Sequence, residues 1–174
     1  MQMNDQRDIQ ADPATVYAAL LSPDVLMECV PGAQEVSGSP EEGFQAVVVQ
    51  KVGPVKATFK GTVTLSDMVE NTSLNIRGEG KGGAAGFAKG GANVRLEALD
   101  DGGTRLIYEV DAKVGGKLAQ LGSRLIDGFA KKMADQFFTR FQEVLEGPDE
   151  KTDDADAAPQ AEKKGWLKRI SGRE

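Results

Sequence analysis

The chain has 174 residues, 40 % of them hydrophobic, enough for one domain with a real core and a tail. Its formal charge of −6 argues against nucleic acid as the main partner, because phosphate binding wants a basic face. The absence of histidine removes the usual general base and the commonest metal ligand near neutral pH, while the single cysteine, Cys29, excludes an intramolecular disulfide and fits a reducing compartment.

No basic-plus-apolar leader opens the chain and no apolar run approaches about 18 residues, so neither a signal peptide nor a transmembrane span is expected. Residues 1–9 read as a first strand. Asp12-Pro13 then marks a helix start, with Asp12 as N-cap and Pro13 at the first helical position. Val16, Tyr17, Leu20 and Leu21 give that helix an apolar side. Ser22-Pro23 repeats the signal for a second short helix, and Pro31-Gly32 stops it.

Strands follow. Residues 44–51 are apolar and β-branched. Residues 55–65 alternate, with Val55, Ala57, Phe59, Gly61, Val63 and Leu65 on one face and lysines and threonines on the other, the period of a half-buried antiparallel strand. Similar alternation recurs over 73–80, 93–98 and 105–113. Turn signals separate them at Glu41-Glu42-Gly43, Gly53-Pro54, Glu70-Asn71 and Asp100-Asp101-Gly102-Gly103. Inward positions hold many small residues: Ala46, Ala57, Gly61, Gly78, Gly80, Ala92, Ala98 and Ala112. These leave either a close sheet–helix contact or a void.

Residues 115–145 read as one long helix. Leu118, Leu121, Leu125, Ile126, Phe129, Met133, Phe137, Phe138, Phe141, Val144 and Leu145 recur at steps of three and four. Such a stripe must be buried against something long, and the strands are the available partner. The expected fold is α+β: a curved antiparallel sheet of about six to seven strands wrapped around a long C-terminal helix, with two short helices after the first strand.

Residues 78–91, GEGKGGAAGFAKGG, contain the glycine spacing of a dinucleotide fingerprint, but a strand follows where that fingerprint needs a helix. A glycine-rich hairpin allowing close approach of a backbone or a ligand is the better reading, with Phe87 as lid or core. No nucleophile with a base partner stands out, no metal-ligand spacing is present, and acidic residues fall on outer faces, in turns or in the tail. No catalytic residue and no metal site are therefore assigned. Tyr17 and Tyr108 keep an inward polar group open.

Composition changes at residue 146. Residues 146–161 hold six Asp or Glu against one Lys, a charge of about −5, and read as a flexible acidic linker. The domains expected are 1–146, a linker at 147–162 and a basic amphipathic tail at 163–174. Lys163, Lys164, Trp166, Leu167, Lys168, Arg169 and Ile170 combine charge with apolar residues at helical spacing, which suits an anionic membrane surface or a partner's groove.

Four stretches carry a family resemblance: SPDVLMECVPGA at 22–33, VGPVKATFKG at 52–61, the glycine-rich 78–91, and GGKLAQLGSRLI at 115–126. In this order they resemble the carbon monoxide dehydrogenase G-subunit (CoxG-like) family of the START/Bet v 1-like helix-grip superfamily. The resemblance implies a non-catalytic accessory protein tied to a molybdenum hydroxylase or carbon monoxide dehydrogenase-type enzyme. It further implies recruitment to the inner face of the cytoplasmic membrane. A helix-grip cavity implies a respiratory quinone or other lipid as ligand, with no covalent cofactor. Phe59, Phe87, Leu118, Leu121, Leu125, Phe129 and Met133 are the expected cavity wall. A docking module without ligand, or a cyclase-like enzyme of the same fold, are the alternatives.

Overall fold

The computed structural model describes residues 1–147. Apart from Gly147, the expected linker lies outside the described residues, as do the seven residues from Lys163 to Ile170 expected to bind a membrane. The chain opens with β1 (Gln2–Ile9), α1 (Pro13–Leu20) and α2 (Pro23–Cys29). Six strands follow: β2 (Ala33–Ser39), β3 (Gly43–Val52), β4 (Val55–Val69), β5 (Ser73–Lys81), β6 (Phe87–Ala98) and β7 (Thr104–Gly115). The chain then turns into α3 (Lys117–Gln120) and α4 (Ser123–Glu146). All strands join one seven-stranded antiparallel sheet in the order β1-β7-β6-β5-β4-β3-β2. This is the expected helix-grip architecture.

The caps form as the sequence predicts. The Asp12 side chain accepts from Thr15 N, and Ser22 Oγ accepts from Val25 N, each followed by proline at the first helical position. Both helices end within eight residues, too short to persist without packing.

Three expectations change. The helix of residues 115–145 is two helices. Gly115 closes β7, Gly116 has φ +71°, and Gly122 has φ +91° between α3 and α4. Glycine adopts this left-handed backbone without steric cost, so the break falls there although the apolar stripe runs through it. The weakly apolar stretch 33–39 is a full edge strand, and β6 begins at Phe87, inside the glycine-rich run.

The main core lies where α1, α2 and the second half of α4 meet the sheet. Ile9, Val16, Leu74, Leu106, Cys29 and Phe141 are fully buried there. Tyr108 stacks on Phe138 with centroids 5.2 Å apart, and the Arg7 guanidinium lies 5.1 Å over the same ring. A second, smaller cluster of Val52, Leu118 and Ile126 lies towards the other end. Burial pushes the Cys29 thiol up to about 11. A thiol reagent at pH 8 should therefore leave the folded protein unlabelled and react only on unfolding. Rapid native-state labelling would show that α2 opens locally.

Candidate functional site

Beside the smaller cluster the sheet and the helices leave a gap. A cavity of about 910 Å³ remains, near the top of the roughly 300–1,000 Å³ range of small-molecule sites. Its sheet wall is thin because Gly80, Ala88 and Ala112 present little side chain. Ala119 and Ala130 do the same on the helical side. The small inward residues thus leave a void at this end of the sheet, whereas Leu74, Val94, Leu96 and Leu106 fill the other. Ala98, expected to face inward, is exposed at the end of β6.

Phe59, Leu118, Phe129 and Met133 line the cavity. Leu121 packs against the small cluster beside it without forming the wall. Leu125 does not line it either, and at 40 % exposure it points outward. A side chain built at Gly53 would come 2.8 Å from Leu125 Cδ2, so this leucine meets the β3–β4 turn. Phe87 is on the opposite face of the sheet. It pairs with Gly115, and a Cβ added at Gly115 would collide with its ring. The ring covers that glycine on the outside, a cross-strand device that shields a side-chain-free position.

The sequence pattern does not single out Met1, Met3, Val48, Gln50, Val52 or Ile126 as wall residues, yet all of them line the cavity. Alternation supplies the signal for three of them: Val48, Gln50 and Val52 share the inward phase of Ala46. Gln50 is an inward polar group on that wall. Its Nε2 donates to the Pro31 carbonyl, which can only accept, so the amide oxygen is the atom left free. Ser123 and Asp127 stand at the exposed rim with Ala119 and Gly122. The arrangement can hold a long apolar molecule with a polar end.

Both tyrosines are buried in the main core. Tyr17 Oη donates to Ser73 O at 3.1 Å, and burial pushes its pKa up. Neither tyrosine lines the cavity. Among the described residues no cluster of three or more Cys, Asp or Glu is disposed to hold a metal ion. No described helix is long and apolar enough to cross a membrane.

Beside the cavity Arg7 of β1 pairs with Asp135 of α4, tying the sheet edge to the helix. The Arg7 hydrogen bond holds the Asp135 carboxyl below its ordinary value. Because that pKa is lower in the fold, its contribution is present above the unfolded value, 3.8, and is lost as pH falls through the depressed one. Asp135→Asn should flatten part of the acid limb of a stability–pH curve, and an unchanged limb would assign it to Asp8 and Asp12, whose pKa values are also lowered.

An antiparallel sheet gripping a long C-terminal helix over an apolar cavity defines a helix-grip, START-like protein. A START superfamily protein from Mycobacterium smegmatis shares the fold at TM-score 0.63 and 13 % identity, covering 83 % of this chain and 97 % of that one. A putative uncharacterized protein from Rhizobium leguminosarum does so at TM-score 0.65 and 16 % identity, covering 85 % and 95 %. A conserved protein from Geobacillus kaustophilus reaches TM-score 0.78 at 25 % identity, covering 84 % and 95 %. No curated protein matches the sequence. Within the class, the chain belongs to the carbon monoxide dehydrogenase G-subunit (CoxG) family, whose profile matches residues 6–146.

Proposed function

We propose that this chain is a non-catalytic accessory protein that holds an apolar ligand, a respiratory quinone or another lipid, in its cavity. In this reading it links a molybdenum hydroxylase or carbon monoxide dehydrogenase-type enzyme to the inner face of the cytoplasmic membrane. The observation that carries the proposal is the cavity. A void of about 910 Å³ walled by Phe59, Leu118, Phe129 and Met133 costs the fold packing contacts that a bound apolar molecule would restore. Gln50 supplies an acceptor for a polar head, and family membership supplies the class of enzyme partner. Residues 1–146 form the binding domain, residues 147–162 the tether, and Lys163, Lys164, Trp166, Leu167, Lys168, Arg169 and Ile170 the membrane-binding tail. Weak, reversible attachment suits a short basic segment of this kind.

The test is native mass spectrometry of the protein purified from its own host, followed by organic extraction. The expected result is an isoprenoid quinone or phospholipid at near one per chain. An empty protein whose melting temperature is unmoved by added long-chain quinone would sink the ligand reading and favour a pure docking module.

A further inference from the structure

Charge is distributed unevenly along the strands. The turns joining β2 to β3, β4 to β5 and β6 to β7 lie at one end of the sheet. On or beside them are Glu41, Glu42, Asp67, Glu70, Asp100 and Asp101. The connections at the other end join β3 to β4, β5 to β6 and β7 to α3. Lys51 and Lys56 flank the first, Lys81 and Lys89 the second, and Lys113 and Lys117 the third. Lys60 and Arg124 complete the group, and all eight are exposed. Against them on the same segments stand Glu79, Asp111 and Asp127. The ion pairs among the described residues use Arg7, Arg95, Arg105 and Lys131, so none of these eight cations takes part.

The register shows that folding alone does not require this. Lys51 faces Lys56, Lys60 faces Lys81, and Lys89 faces Lys113, each directly across a strand pair. Like charges so placed destabilise a sheet. The cavity reaches solvent at this same end, through the exposed Ala119, Gly122, Ser123 and Asp127. Leu125 projects beside it, and Phe87 lies half-buried opposite Lys81 with the Lys89 ammonium 6.0 Å from its ring centre.

We propose that this basic end is a docking face for an anionic lipid bilayer: its six strand lysines lie on the outer face of the sheet, at the end where the cavity opens. Seven of the eight cations are lysine, a strongly hydrated point charge suited to a diffuse anionic surface. Protein interfaces are instead depleted in lysine and enriched in arginine and aromatic residues. Docking by this end brings Leu125 and the cavity mouth towards the membrane and gives an apolar ligand a passage to it. That passage rests on the apolar-ligand reading, while the docking itself does not. The 24 residues of α4 run about 36 Å at about 1.5 Å per residue, and the chain leaves that helix at the acidic end.

The experiment is vesicle co-sedimentation of the full chain on phosphatidylcholine vesicles with and without phosphatidylglycerol. Lys56→Glu/Lys60→Glu/Lys89→Glu turns each like-charge pair into an opposite one. It should weaken partition onto phosphatidylglycerol vesicles by at least about 100-fold, at about fivefold per cation lost, while the melting temperature holds or rises. A second full-length variant, Lys163→Glu/Lys164→Glu/Lys168→Glu/Arg169→Glu, reports on the tail. If only the tail variant loses binding, or if the wild type does not prefer phosphatidylglycerol, the docking face is overturned. Loss in the triple variant of a protein that carries no extractable lipid upholds the face and removes the ligand reading instead.

Discussion

Phe141→Ala is expected to lower the unfolding free energy by about 3–5 kcal/mol, the usual cost of deleting a fully buried aromatic ring. For a domain of this size, at about 2–4 °C per kcal/mol, the melting temperature should fall by about 6–20 °C. Phe141 is 0 % exposed, its ring stacks on Phe137 at 5.5 Å, and it meets Phe138 edge-on at 6.3 Å. Every side of it touches the main core, so truncation leaves a cavity that neighbours cannot fill. Phe129→Ala is the matched control, because one side of Phe129 already faces the void and fewer contacts are lost. Thermal melts of the two variants check this directly. Equal shifts would mean that the cavity is collapsed or filled in solution.

Ala130→Trp should have the opposite signature. Ala130 lies on α4 and faces the cavity, so an indole there grows into empty space rather than into packed side chains. Binding of a fluorescent fatty acid or a quinone analogue should weaken by about tenfold or more, equivalent to about 1.4 kcal/mol of lost contact. The melting temperature should stay constant or rise, as cavity-filling substitutions commonly stabilise. A variant that melts lower and still binds would place the ligand elsewhere. Together the two substitutions separate the part of the molecule that holds the fold from the part that is left open.

Much of this architecture is legible in the residues, and where it is not the reasons are physical. Asp12-Pro13 and Ser22-Pro23 announce their helices because capping chemistry is local. The alternation from Val55 to Leu65 fixes which face of β4 is inward because the side-chain period of a strand is two. The break at Gly122 is hidden because Leu118, Leu121 and Leu125 keep helical spacing across it, and periodicity does not register a single left-handed residue. Phe87 reads as a wall residue, on the wrong face, because the glycines around it erase the alternation. Counting back from the inward Val94 along β6 puts Ala88, not Phe87, on the cavity side. The cavity itself is a sum of volumes across Gly80, Ala88, Ala112 and Ala130, which meet only in three dimensions. The tail residues show their charge pattern in the sequence alone.

The order of strands also bears on how the chain reaches this state. β1 is made first and pairs with β7, with Gln2 opposite Asp111 and Ile9 opposite Thr104. Thr104 Oγ1 reaches back to Ala11 O across 93 positions. During synthesis the first strand therefore waits until the last has emerged, while β2 to β7 zip as local hairpins. Late closure of a long-range pair slows folding and leaves the β7 edge open to other chains. Until β1 closes, the Arg7–Asp135 clasp cannot form and Met3 cannot take its place in the wall. The cavity wall is thus assembled from β1 and α4, at opposite ends of the described residues, on a sheet that zips between them.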